Sequence, residues 1–453
     1  MGERTKNTRG KGTAVSKTYQ KTSRRDEPGA RGPGEITVPE RVTVSMAEIA
    51  ESAKEGLLAL AVGTGLQVMG AMFEEDVTVL CGPRDQHNGD RSGYRHGAGD
   101  GSVTLGGRRI PVTRPRVRAA DGSGELHLSS YELFSSTEIL GQMALEKMLA
   151  GLSSRRYGHG LEPTGQAVEA RAASTSKSAV SRRFVTATET ALADLMSRRL
   201  DDLDLVAFMT DGVHFGEHCC VVALGIGIDG VKHPLALEEG STENATLVTD
   251  LITGLRDRGL DVTKPVLAVL DGSKALSRAV KDVSDKPLIQ RCQQHKIKNV
   301  RDKLPEKLRA VSERRMREAY HAASAVAAEG LLDQLARELD KTHPGAAASL
   351  REGMADTLTI LRLGVAPTLA RTLRSTNPIE SMIEICRDHS RNVKRWRDGT
   401  MALRWCAAGM LEAGHQFRRV NGHLHLPKLR AELQAHFTEN VSAPRHDENV
   451  SAA

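Results

Sequence analysis

One stretch constrains the fold more than any other. From Leu205 to Leu237 the chain reads LVAFMTDGVHFGEHCCVVALGIGIDGVKHPLAL. An apolar run stops at Asp211, a second spans Cys219 to Ile228, and the chain turns at Asp229-Gly230 and returns through Val231 to Leu237. Apolar runs bounded by turn residues predict strand, strand, turn, strand. Asp-Gly between such runs predicts a type I′ hairpin, whose two central residues both need positive φ. Asp211 is thereby predicted at the end of the first strand of a meander.

The next segment extends the pattern. NATLVTDLITGLRDRG, Asn244 to Gly259, has helical periodicity with a glycine stop, and PVLAVLDG reads as a buried strand ending at Asp271. Three meandering strands, a helix and a parallel fourth strand describe a ribonuclease H-like α/β core, a mixed sheet flanked by helices. In that topology the first and fourth strands are neighbours, so Asp211 and Asp271 are expected to meet. Close carboxylates repel unless a cation lies between them, and oxygen-only ligands favour Mg²⁺ or Mn²⁺.

The segment STNPIESMIEICRDHSRNVKRWRDG reads as a helix that carries an acid in its first turns. Ser375 or Thr376 can cap a helix, Pro378 suits its first turn, and Glu380 lies one turn inside. Arg387, seven residues on, shares Glu380's face. The plainer alternatives are a surface glutamate and an arginine paired with Glu384 or Asp388. Between Leu304 and Arg374 the apolar spacing is helical throughout. That segment holds no tryptophan, since Trp396 and Trp405 both follow Glu380, and Tyr320, its one large aromatic, reads as core.

The 453 residues suffice for several domains, and a formal charge of +6 suits a nucleic-acid partner without requiring one. Six cysteines, at 81, 219, 220, 292, 386 and 406, form no CxxC pair, which points to reduced thiols and to no zinc finger. Cys292 and His295 have ligand-like spacing, but two ligands do not close a zinc site, and support of a neighbouring site is the better reading. Residues 1–45 form an expected disordered basic tail without a secretory h-region, and no run is expected to reach transmembrane length.

In 46–200, the segment from Met46 to Val79 predicts two helices broken near Gly63-Gly65. VTLGGRRIPVTRPRVR predicts a hairpin whose Arg108, Arg109, Arg114, Arg116 and Arg118 form either a basic ribbon or merely a solvated face. STSKSAVSRRF resembles the turn and second helix of a helix-turn-helix, with Lys177, Arg182 and Arg183 toward a duplex. An ordinary pair of packed helices is the alternative.

Four separated pieces, TDGVHFGEH, VLDGSKAL, RCQQHKIKNVRDKLP and RSTNPIESM, together resemble the DDE transposases of the Mutator superfamily, in the branch carried by bacterial insertion sequences. The resemblance runs from about Met46 to Leu429. It implies Asp211, Asp271 and Glu380 as catalytic, metal-binding residues holding two Mg²⁺ or Mn²⁺ ions, with an all-α insertion before Glu380 and a basic residue at Arg387. The family shares the Cys292/His295 pair. The implied activity is cleavage of double-stranded DNA at element terminal inverted repeats and joining of the 3′-hydroxyl to target DNA, by a cytoplasmic, nucleoid-associated homo-oligomer without membrane contact. The implied layout is mostly helical DNA-binding N-terminal domains over 46–200, the core over 201–300 and 375–430, the insertion over 301–374 and a tail over 431–453. A ribonuclease H-like nuclease without strand joining and a transposase-derived repressor are the rival readings.

Overall fold

The computed structural model describes residues 56–442 except 87 and 241–244, together with 39, 42, 45, 50, 53 and 54. The expected basic tail falls almost wholly outside the described residues, as does the chain end beyond 442. The described chain forms two compact units, one of residues 64–100 and 113–134, the other of 47–63, 101–112 and 135 onward.

The smaller unit is built on a helix, Leu57–Cys81, and on the outer part of a hairpin formed by β1 (Gly93–Leu105) and β2 (Arg108–Ala119). A short β3 (Glu125–Leu126) pairs with β2, and Asp76 on the helix accepts from the Ser130 amide at 2.8 Å and its hydroxyl at 2.6 Å. The break expected near Gly63-Gly65 is not there. Neither glycine has positive φ, and a helix interior tolerates a glycine for about 1 kcal/mol. The unbroken 25-residue helix is long and apolar enough to cross a membrane, which corrects the expectation that no run reaches that length. Length and apolarity alone do not separate a membrane span from a packed helix.

The larger unit contains a five-stranded mixed sheet in the order β6-β5-β4-β7-β8, from β4 (Leu205–Phe215), β5 (His218–Gly227), β6 (Lys232–Gly240), β7 (Val266–Leu270) and β8 (Pro287–Arg291). β4, β5 and β6 run antiparallel, while β7 and β8 run parallel to β4. The β5–β6 turn departs from type I′. Only Gly230 has positive φ, at 82°, and its amide bonds the Gly227 carbonyl at 2.9 Å, the pattern of a type I turn followed by a left-handed bulge residue. Asp229 satisfies the turn instead by accepting from the Val231 amide through its side chain at 3.0 Å.

The sheet has a core on each face. Ala207, Met209, Leu267 and Val269 pack with Ile379, Met382, Ile383 and Cys386 of the helix Asn377–Ser390 and with the helix Gly399–Gln416. Phe208, Ala268 and Leu270 pack on the opposite side with the helices Ala245–Asp257 and Lys274–Val283. Alternation along each strand thus assigns odd-numbered residues near the β4–β7 seam to the Asn377–Ser390 side. The insertion, Glu306–Tyr320 through Pro367–Leu373, has its own core, in which Tyr320 is buried as expected. Phe215, Trp396, Trp405 and Phe184 form a chain of ring contacts between β4 and the helix Lys177–Ser197.

Where the Asn377–Ser390 and Gly399–Gln416 helices cross, a Cβ on Gly409 would lie 2.9 Å from Cys386 Cα. Gly409→Ala gains about 1 kcal/mol of helix propensity but forces two backbones apart, at roughly 1–3 kcal/mol. The variant is therefore expected to melt below the wild type in a thermal scan, and a higher melting temperature would show that the crossing can relax.

Candidate active site

β4 and β7 pair through Ala207↔Leu267, Phe208↔Ala268 and Met209↔Val269. Asp211 and Asp271 each lie two residues beyond the last of these pairs, with the parity of the face that meets the Asn377–Ser390 helix. Asp211 is not at a strand end, as the apolar run suggested. β4 continues to Phe215 and Asp211 pairs with Val222 of β5, because the antiparallel partner extends further than the parallel one. Asp271 follows β7 directly, and its Oδ1 accepts from the Ser273 amide at 2.7 Å across Gly272, whose φ is 108°. Asp211 Oδ1 accepts from the Gly212 amide at 2.8 Å. No other hydrogen bond to either carboxylate occurs among the described residues.

Glu380 enters from the first turn of its helix, with Pro378 at the start as expected. Thr376 does not cap that helix through its side chain. Its hydroxyl turns to Glu380 Oε1 at 2.5 Å, 3.3 Å from His295 Nδ1 and 3.4 Å from Cys292 Sγ, while its amide also reaches that sulfur at 3.4 Å. Cys292 follows β8 at the N-cap of the helix Gln293–Arg301, and His295 lies on that helix's first turn. Donor atoms of Cys292, His295 and Glu380 all lie within 4.8 Å of one another, so Glu380 adds the third donor that the sequence reading lacked. The Thr376 hydroxyl bonds with each of the three, which makes the group a hydrogen-bonded hub around Glu380. The sequence singled out Thr376 only as a cap.

Electrostatics follow from this crowding. Burial pushes the Asp211 carboxyl up to about 6, with the neighbouring Asp271 and Glu380 charges adding to the rise and the Gly212 amide and His295 opposing it. The hydrogen bond with Cys292 raises His295 to about 9 against burial, helped by the charges of Cys292, Glu380 and Asp271. Burial raises the Cys292 thiol, but the hydrogen bonds with His295 and Thr376 outweigh it and the net shift is downward.

Asp211, His295, Glu380, Lys298 and Arg387 line one open cleft. Lys298 is three residues after His295 on one helix, a spacing that would have marked it. Arg387 is exposed and makes no ion pair with Glu384, Asp388 or any other acid among the described residues, so the plainer expectation of a surface pair does not hold.

The other basic candidates divide. Lys177 and Arg182 are exposed at the start of the Lys177–Ser197 helix, which Ser176 caps by accepting from the Ala179 amide at 3.4 Å. Arg183 instead donates to the Ser174 carbonyl at 2.6 Å, and burial holds it below its usual value. Neighbouring residues on a helix point about 100° apart, so Arg182 and Arg183 cannot share one face. The only helix just before this one is a single turn, Gln166–Glu169, so the first helix of a helix-turn-helix is reduced to that turn.

The basic ribbon is mostly spent internally. Arg108 donates to the Glu162 carbonyl at 2.8 Å, Arg109 to the Ser102 carbonyl at 2.8 Å, and Arg114 and Arg116 pair with Glu125 at 3.0 and 2.6 Å. Arg118 alone of the five is exposed without an ion pair among the described residues. Loop carbonyls and the β3 carboxylate needed donors, a demand that alternation along the strand does not reveal.

Comparison with known proteins identifies the family. Residues 39–419 match the family described as "Transposase, Mutator family". The chain is 29% identical over 246 residues, 53% of its length, to a transposase for an insertion sequence element of Mycolicibacterium smegmatis, covering 75% of that protein. It is 28% identical to one from Acidithiobacillus ferrooxidans, over 39% of this chain and 58% of the relative. It is 24% identical to one from Rhizobium meliloti, over 80% of this chain and 89% of the relative. With the match extending over most of its length, the chain belongs to the Mutator family of transposases.

Proposed function

We propose that this protein binds the terminal inverted repeats of its own insertion sequence, cleaves DNA strands there and joins the 3′-hydroxyl to target DNA, with Asp211, Asp271 and Glu380 holding two Mg²⁺ or Mn²⁺ ions. The observation that carries the proposal is that Asp211 and Glu380 line one cleft while the β4–β7 register sets Asp271 level with Asp211, near enough for both other acids to act on the Asp211 charge. The donor set suits hard divalent cations, because the aspartates offer only oxygen and leave one carboxylate oxygen each without a protein partner. Burial first, and the Asp271 and Glu380 charges second, raise the Asp211 carboxyl, and a bound cation would offset both. When bound, paired ions activate the attacking oxygen and neutralise charge developing on the phosphate and leaving oxygen. The strand order β6-β5-β4-β7-β8 supports a ribonuclease H-like core.

The chain's own residues supply the rest. His295, Lys298 and Arg387 line the cleft and suit the phosphodiester backbone on either side of the scissile bond. Thr376 holds Glu380 Oε1 and fixes the rotamer of that carboxylate. Lys177 and Arg182 contact the element ends, Arg183 braces the turn before them, and the protein works as a homo-oligomer on DNA.

Incubating the protein with labelled element-end DNA, target DNA and Mg²⁺ tests the reading, with nicked and joined products expected. Nicks without joining would favour a nuclease, and binding without either would favour a repressor. Asp211→Asn, Asp271→Asn and Glu380→Gln are each expected to abolish both products while end binding in a mobility-shift assay persists. A variant that still cuts would remove its acid from the site.

The Asp211 value gives a second expectation. A carboxyl raised on folding costs stability once ionised, so the penalty is absent below its ordinary value of 3.8 and complete above about 6. The difference corresponds to at most roughly 3 kcal/mol. Metal-free Asp211→Asn is therefore expected to melt above wild type near neutral pH and to coincide with it below 3.8. Coincident melting at all pH values would contradict the burial and repulsion described above.

Arg387 lies about 10 Å along the helix axis from Glu380, at ~1.5 Å per residue, too far to share its ligands. Arg387→Ala is expected to weaken DNA engagement and to recover in low salt, because phosphate contacts are salt-dependent. Glu380→Gln, by contrast, should remain inactive throughout a salt series. An Arg387→Ala protein indistinguishable from wild type in that series would exclude the phosphate contact.

A further inference from the structure

Arg291, the last residue of β8, is largely buried, with only 7% of the residue exposed. Its Nη1 donates to the Glu352 carbonyl at 2.8 Å and to Glu352 Oε2 at 3.1 Å, while Nε has no hydrogen-bond partner. Two glycines lie against it. One is Gly272, with φ 108°, immediately after Asp271, where a Cβ would fall onto the guanidinium. The other is Gly353, with φ 61°, in the helical insertion, where a Cβ would come within 2.6 Å of Nη1. Lys296, wholly buried, donates to the Ser349 and Glu352 carbonyls from the same side.

This arrangement links two parts of the chain that the sequence separates. Gly272 is the middle of the turn in which Asp271 Oδ1 accepts the Ser273 amide, so whatever supports Gly272 supports the direction of the Asp271 carboxylate. Glu352 and Gly353 belong to the connection between the insertion helices Pro344–Arg351 and Met354–Thr357. Burying a guanidinium with an unpaired Nε costs free energy, and two buried cations facing one half-exposed carboxylate cost more, so this is not the arrangement packing alone would favour. We infer that Arg291 is a positioning residue, clamped between Gly272 and Gly353, through which docking of the helical insertion sets the orientation of Asp271. Removing the guanidinium leaves a hole beneath Gly272 and frees the turn, so the carboxylate loses its fixed direction while its charge remains.

The inference rests on Asp271 being a metal ligand only for its consequence in cation binding, and the experiment separates the two. The full-length protein, Arg291→Met and Thr359→Val are compared. Thr359 also ties the insertion to β8, donating to the Ile289 carbonyl at 2.7 Å, but it does not touch Gly272. Hydrogen exchange at the Ser273 amide in metal-free protein is the first readout, and Mn²⁺ affinity by calorimetry the second. Arg291→Met is expected to exchange Ser273 several-fold faster and to bind Mn²⁺ roughly tenfold more weakly, the size usual for groups that orient metal ligands. Thr359→Val is expected to leave both unchanged even where it lowers the melting temperature. Should Arg291→Met fail to fold, Arg291→Lys keeps the charge and most of the stem but loses the planar fork, and is expected to show the same changes at smaller size. Unchanged Ser273 exchange in the arginine variants, or equal changes in Thr359→Val, would overturn the inference. Faster exchange in a protein that never bound Mn²⁺ would uphold the positioning of Asp271 and sink the metal reading alone.

Discussion

Parallel pairing of β4 with β7 is the constraint on which the candidate site depends. Only three residue pairs join these strands, yet they bring Asp211 beside Asp271 across a long excursion through β5, β6 and a helix. Closing such a loop costs entropy, and the apolar cores on both sheet faces repay it. Because the side-chain period along a strand is two, a one-residue slip of β7 would move the Asp271 position to the other face and separate the acids. The burial of Ala207, Met209, Leu267 and Val269 against the Asn377–Ser390 helix therefore maintains both the fold and the placement of the candidate acids.

Polar contacts then refine what the apolar packing places. Two polar clusters stand about the end of β8, one half-buried and one buried. In one, Thr376 gathers Cys292, His295 and Glu380. In the other, Gln290, Arg291, Gln293 and Lys296 satisfy carbonyls of the insertion at Ser349, Glu352 and Thr357. Buried polar groups of this kind are costly unless bonded, and nearly all of their partners are main-chain oxygens that only the folded insertion can present. The insertion is thus bonded to the strand beside Asp271 as well as packed against it.

Charge is economised in the same way. Several arginines that look available in the sequence are internal struts: Arg258 donates to the Leu195 and Leu235 carbonyls at 2.7 and 2.8 Å, and Arg108, Arg109 and Arg183 serve similarly. Of the basic residues that the sequence offered for DNA contact, Lys177, Arg182, Arg118 and Arg387 remain exposed. A guanidinium has five donors in a planar fork and satisfies several carbonyls at once, which explains why this chain uses arginine for the purpose.

The sequence by itself determined the strand order, the two aspartates, the Glu380 helix with Pro378 in its first turn, and an insertion with its own core. Each depends on local periodicity or on a short turn signal, which the chain carries wherever it is read. What the sequence read incorrectly involved distant partners. The Gly63-Gly65 helix stayed whole because nothing there required a break, and Asp229-Gly230 took a bulged turn with positive φ only at the glycine. The tertiary structure alone decided that Thr376 serves Glu380 rather than its helix end, that Lys298 shares the cleft, that Arg183 turns inward and that Arg291 lies beneath Gly272. Those outcomes depend on which carbonyl, carboxylate or open glycine face comes within about 3 Å of a donor once the elements pack, and no pattern of neighbouring residues encodes that distance.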